Sequence, residues 1–355
     1  MSPAAEAPSW ESVSYEATLD QSQLTDPATD AKCSVLIFGS PKSWKSTWTY
    51  QWPAPIVLNI AAEGGNAALG TYPQIAEHLL KQWKDKSQPP PVFNRAAPRH
   101  FDIYFSGASQ DPENISNFPP RHCLMDAIRM IEESWRTWGV ATVILDSIGF
   151  LQRLWMTDLV AYRYSKLSGL RPPPGLKMPG GSDPNKRWAE RMQEQAGVLF
   201  ERSDYGLFNN YIQTVQEAIN ALPVNRITIG HEHTVMKEKL NAQGKATGEL
   251  EVDKVVLGIS GQSRTYIPAG VDLIIQAEPK EVPITKGPAL GRREVRPIFW
   301  TVPNDKSIGS VGHRFAFAFE EGKLVDPELG DIPTFRAVYN RIYSHIALPQ
   351  AAEPK

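Results

Sequence analysis

Two cysteines, Cys33 and Cys123, in a chain of 355 residues are too few for a disulfide framework or a cysteine-ligated metal centre. A reducing, intracellular setting is therefore expected. No apolar run approaches the roughly 20 residues that cross a bilayer, and the N-terminus lacks a charged-then-apolar signal pattern. A cytoplasmic protein without membrane contact is the expectation. An excess of positive charge is also missing: the formal net charge is -2, so any nucleic-acid contact must come from local basic segments. No internal repeat is present. What is there is an ordinary globular composition, 41% hydrophobic and 21% charged, on a chain long enough to bury a sizeable core.

Residues 1–30, rich in Ala, Ser, Pro, Asp and Glu without apolar periodicity, predict a disordered leader. Beyond them, short apolar runs alternate with helical patterns. Strands are predicted at 33–38, 55–60, 101–106, 141–146 and 225–230, with helices at about 73–84, 121–138, 148–164 and 206–221. Strands apolar on both faces and separated by helices imply an α/β fold with a mostly parallel, two-sided central sheet. After about residue 250 the pattern turns β-rich (252–257, 271–277, 295–302, 313–319), which predicts an antiparallel extension of the same sheet. The expected division is a leader, one domain over 31–320, and a C-terminal helix and tail over 321–355, the helix running from about Pro333 to Ile346. Two stretches interrupt the rhythm. Residues 85–99 form a Pro-rich loop, and the Pro/Gly-rich insertion 165–203 carries seven Lys/Arg against four acids. A loop that long inside a compact domain is usually functional or disordered.

The chemistry-bearing signal begins at Gly39. G-S-P-K-S-W-K-S-T follows the apolar strand C-S-V-L-I-F and opens a helix, which is the setting of a phosphate loop. In such a loop successive backbone N–H groups curl around phosphate, the lysine meets the β- and γ-phosphates, and the next hydroxyl holds Mg²⁺. The candidate cradle is therefore Gly39, Ser40, Pro41, Lys42, Ser43, Trp44, Lys45, Ser46 and Thr47, with ATP and Mg²⁺ as cofactors. Trp44 stands where the loop pattern has a second glycine; helical backbone angles there would make the substitution cheap. Asp146 ends the apolar strand A-T-V-I-L-D, expected adjacent to the loop, and is the candidate Mg²⁺ partner of Ser46. Glu63, before two glycines after the strand P-I-V-L-N-I, is positioned to orient an attacking water. His231, at the expected end of the strand I-T-I-G, is a candidate γ-phosphate sensor. With His233 it forms an i, i+2 pair, but no further metal ligands lie at suitable spacing.

Taken in order, G-S-P-K-S-W-K-S-T, a short helix broken by W-P, P-I-V-L-N-I-A-A-E-G-G, V-I-L-D-S-I, D-Y-G and I-G-H-E-H resemble the phage RecA-like P-loop ATPases of the AAA_24 type. This group includes the Sak-type single-strand annealing proteins. The likeness spans roughly 31–320. It implies a RecA-like core, nucleotide and Mg²⁺ binding by Lys45 with Ser46 or Thr47, Glu63 as catalytic base, Asp146 as the Walker B carboxylate, and His231 coupling the γ-phosphate to DNA loops. It further implies single-stranded DNA as a partner, met by 165–203 and by about 233–262, with Tyr162, Tyr164 or Trp188 stacking on bases. A ring or filament of identical subunits is expected, with Arg264, Lys306 or Arg314 as a cation supplied across the subunit boundary, and with other replication or recombination proteins as further partners. Two other functions stay open at this level: a RepA-type hexameric helicase, and a nucleotide-dependent scaffold with little hydrolysis, which the slightly acidic charge and Trp44 favour.

Overall fold

Strand β1 (Ser34–Gly39) carries apolar side chains on both faces, and every one of its residues is buried. Such a strand is stable only between two layers. The computed structural model supplies them; it describes residues 32–60, 66–82, 94–106, 120–168, 202–241, 243–259, 262–283, 293–301 and 312–313. Val35 and Ile37 face one layer, formed by α1 (Lys45–Thr49) and α2 (Asn66–Gln82). Leu36 and Phe38 face the other, where α3 (Leu124–Ser134), α4 (Ile148–Ser168), α5 (Arg202–Ala221) and α6 (Ser263–Ala269) pack. The first layer is aromatic. Trp48 and Trp52 meet edge to face at 5.7 Å, and Tyr50 and Tyr72 at 5.8 Å.

Between the layers lie β2 (Pro55–Ile60), β3 (Arg99–Ile103), β4 (Thr142–Asp146), β5 (Asn225–Leu240), β6 (Ala246–Leu257), β7 (Leu273–Pro283), β8 (Arg293–Trp300) and the two-residue β9 (Gly312–His313). The sheet order is β3-β2-β4-β5-β1-β7-β8. Strands β3 to β7 along this path are parallel, and β8 and β9 pair antiparallel to β7. A mostly parallel sheet with helices on both faces and an antiparallel extension is the architecture the sequence predicts.

Two expectations are corrected. Strand β4 pairs with β2 and β5, so the strand ending in Asp146 is not adjacent to β1; β5 lies between them. Strand β5 does not end at His231 but runs on for nine residues to Leu240, pairing antiparallel with β6 as a projecting two-stranded ribbon. The stretch read as a basic loop, about 233–262, is therefore mostly regular strand. From Thr234 to Leu240 no Gly or Pro interrupts the chain, so nothing in that stretch stops the strand at His231. The leader 1–30, most of the insertion 165–203, all but the first residue of the strand expected at 313–319 and the helix expected at 333–346 lie outside the described residues, as do Glu63, Trp188, Lys306 and Arg314 and the side chains of Tyr162 and Tyr164. No helix among the described residues is long and apolar enough to cross a membrane.

Candidate functional site

Gly39 is required by a close approach that no linear motif records. A Cβ on Gly39 would stand 1.9 Å from the carbonyl oxygen of Ala277, because β7 pairs directly alongside β1. Past Gly39 the chain turns through Ser40–Trp44 into α1. Lys42 and Trp44 both have left-handed backbones, with φ of 64° and 66°. This corrects the expectation of helical angles at Trp44: its φ is one that glycine adopts freely and that costs an L-residue about 1–2 kcal/mol. Trp44→Gly is thus expected to hold or raise stability by up to about 1 kcal/mol, since strain relief outweighs the added chain entropy. Urea denaturation reads this out, and a loss of more than about 1 kcal/mol would show that packing of the ring outweighs the strain.

The loop wraps the lysine. Lys45, 6% exposed, donates from Nζ to the carbonyl oxygens of Gly39 (3.0 Å) and Ser40 (2.6 Å) and to Ser43 Oγ (3.2 Å). Ser43 Oγ in turn donates to Ser40 O at 2.8 Å. One residue on from Lys45, Ser46 Oγ donates to Asp146 Oδ2 at 2.8 Å, although a hundred residues separate the two in sequence. Tyr50, buried at the end of α1, donates its phenol to the same oxygen at 3.2 Å. The separation by β5 therefore does not keep Asp146 from the loop; α1 leans back across the carboxyl ends of the strands. Ser40 Oγ and, beside Asp146, Ser147 Oγ are buried and find no hydrogen-bond partner among the described residues.

Pro41 to Thr47, Ala68, Asp146, Ile229 and His231 line one cavity of about 380 Å³. His231 is placed by register, its Cα opposite Gly39. It also lines a second cavity of about 490 Å³ with Phe150, Arg153, Glu232 and Gly258, and Pro41 likewise borders both. Phe150 packs edge-on to the His231 ring at 5.6 Å, and the Arg153 guanidinium lies 5.2 Å from the Phe150 centroid. Among the expected site residues, the structure brings together the whole run from Gly39 to Thr47 with Asp146 and His231. For Glu63 it describes only the approach: β2, whose Asn59 is in register with Asp146, ends three residues before it.

Oxygen donors at a strand end beside a loop that cages an ammonium are the set that a magnesium–polyphosphate group uses. Ser46 Oγ and the Asp146 carboxylate could hold the hard cation. Lys45, the loop N–H groups and the unpartnered Ser40 hydroxyl fit the phosphates. Tyr50 and Ser147 were not foreseen. Within W-T-Y-Q-W an aromatic reads as core, and only the fold of α1 brings its hydroxyl to the aspartate.

Loop after β1, carboxylate at the end of β4 and a single strand between those two define the RecA-like P-loop fold. No family model matches the chain, and no curated relative does. Among solved structures it is similar to a KaiC-like protein from Pyrococcus horikoshii, at 9% identity over 77% of this chain and 88% of that one, with a TM-score of 0.28. It is also similar to the flagellar accessory protein FlaH from Methanocaldococcus jannaschii, at 10% identity over 83% and 89%, with the same score of 0.28. Likenesses of that strength add nothing about chemistry, and the fold rests on the strand order itself.

Proposed function

We propose that the chain binds and hydrolyses ATP as a RecA-like protein of the AAA_24 and Sak type, acting on single-stranded DNA in recombination, annealing or replication as a ring or filament. One observation carries the nucleotide part. Ser46 and Asp146 meet at 2.8 Å beside a buried lysine that the loop carbonyls already orient. Mg²⁺, when bound, would offset charge on the β- and γ-phosphates. Lys45 exchanges its carbonyl contacts for phosphate oxygens, and Asp146, steadied by Tyr50, keeps its carboxylate turned toward Ser46. Glu63 accepts a proton from the attacking water and orients it in line. His231 relays the state of the phosphate to the Phe150–Arg153 side, a role supported by its lining both cavities. An aromatic ring beside a guanidinium is a surface that single-stranded bases and phosphates use, which supports DNA contact there.

The strained, glycine-poor loop favours a second reading, a nucleotide-bound scaffold with little turnover. Measuring ATP hydrolysis with and without single-stranded DNA separates the two. Stimulation by DNA is expected; tight ATP binding without turnover would leave the scaffold, and DNA-independent turnover would remove the DNA part. Directional strand separation in the same assay would instead mark a helicase. Glu63→Gln is expected to keep ATP affinity and lose hydrolysis by about 10²–10⁴-fold. A near-normal turnover number in that variant excludes Glu63 as the base.

A further inference from the structure

The ribbon has two unlike faces. Its register sets Met236 opposite Val252 and Glu238 opposite Leu250, so these four share one face, and Leu240, two residues beyond Glu238 on the same strand, pairs with Ala246 past a register shift. Large apolar side chains on this side of the ribbon are left substantially exposed: Met236 46%, Leu240 58%, Leu250 66% and Val252 41%. The other face is built for water, with Lys237 paired to Glu251 (3.6 Å) and Asp253 (3.4 Å), and Lys239 to Glu249 (3.0 Å). Over 232–257 four lysines stand against five carboxylates. A ribbon so balanced is a poor phosphate binder, and an exposed two-stranded hairpin is marginal by itself. An apolar stripe framed by polar residues is the mark of a protein contact.

The same chain carries a matching depression. At the ribbon's root a groove of about 480 Å³ is lined by apolar residues including Val256, Leu257, Pro268 and Ile274, with Lys254 and Arg264 also on its walls. Glu238, in the middle of the apolar face, makes no ion pair among the described residues and is the complementary anion. The ribbon cannot fill its own groove. From Glu232 to Leu240 it extends about 26 Å away from its root, at roughly 3.3 Å per residue.

We infer that the apolar face of the β5–β6 ribbon docks into the root groove of a second copy of this chain, with Glu238 meeting Lys254 and Arg264. The apolar face and the groove are different patches, although Lys254 on the groove wall lies in the ribbon opposite Val235, so the contact is head to tail, and repeating it closes a ring or builds a filament. The inference rests on the assembly part of the reading above and not on its nucleotide chemistry.

Sedimentation velocity over a concentration series tests it. Wild-type protein is expected to assemble, and a Leu240→Asp, Leu250→Asp variant to sediment as a monomer with an unchanged circular dichroism spectrum. Both leucines are exposed, so neither change disturbs the core. Glu238→Lys and Lys254→Glu are each expected to weaken assembly, and the two together on one chain to restore it, because every contact then regains an opposite pair. Wild-type protein that stays monomeric up to about 100 µM, where any contact of useful affinity would be filled, overturns assembly and contact together. Assembly that survives in the leucine variant overturns this contact alone. Loss in the leucine variant without rescue by the charge exchange overturns the groove as its seat, and would point to another occupant, such as residues 333–346.

Discussion

Lys45→Ala is expected to weaken ATP·Mg²⁺ binding by at least about 100-fold, because each charge-assisted hydrogen bond to phosphate is worth about 1.5–3 kcal/mol and the lysine makes more than one. The structure explains why no neighbour would substitute. Lys45 is buried beneath the loop and oriented by two carbonyls and a hydroxyl, whereas Lys42, although it lines the same cavity, is exposed and makes no such contacts among the described residues. The truncation also leaves the Gly39 and Ser40 carbonyls without this donor, so some loss of stability accompanies it. Calorimetric titration of ATP, with urea denaturation run in parallel, separates the two effects. Undiminished affinity in a folded Lys45→Ala protein shows the loop to be misassigned.

Gly39→Ala is expected to cost about 3 kcal/mol of stability or more, and nucleotide binding with it. Alanine is the smallest change available, but its Cβ falls 1.9 Å from the backbone oxygen of Ala277. Backbone does not rotate aside as a side-chain tip does. Relief requires β1 and β7 to part, which breaks ladder bonds in the middle of a sheet and moves the start of the phosphate loop. Urea denaturation measures the cost. A midpoint that shifts by less than about 1 kcal/mol equivalent would mean the two strands are not held that close. The two predictions fail independently: one probes what the loop binds, the other what the loop is anchored to.

Much of the site was legible because it is local. Strand, turn and helix run consecutively from Ser34 to Thr49, so the loop residues, their order and the role suited to Lys45 follow from a short window. The buried strands were legible for a related reason: runs such as V-L-I-F and V-I-L-D are too apolar to leave either face in water. Boundaries and backbone angles were less so. Trp44 reads as a tolerable helical residue, yet the turn that carries the chain from Gly39 into α1 imposes a positive φ on it. The stretch after His231 reads as a charged loop because its lysines are seen without their partners. Glu249, Glu251 and Asp253 reach them only once β6 folds back.

By itself the sequence determined the fold class and singled out the loop after β1 and the strand-end aspartate that meets it, because each depends on residue type and nearest-neighbour order. Tertiary structure alone decided that β5 separates β4 from β1 while Ser46 still touches Asp146. It also decided that Tyr50 joins them, that Gly39 is held by β7, and that a ribbon with one apolar face projects from the sheet. Each of these sets side by side residues far apart in the chain. Such contacts exist only after the sheet has chosen its strand order, and periodicity along the chain carries no record of that choice.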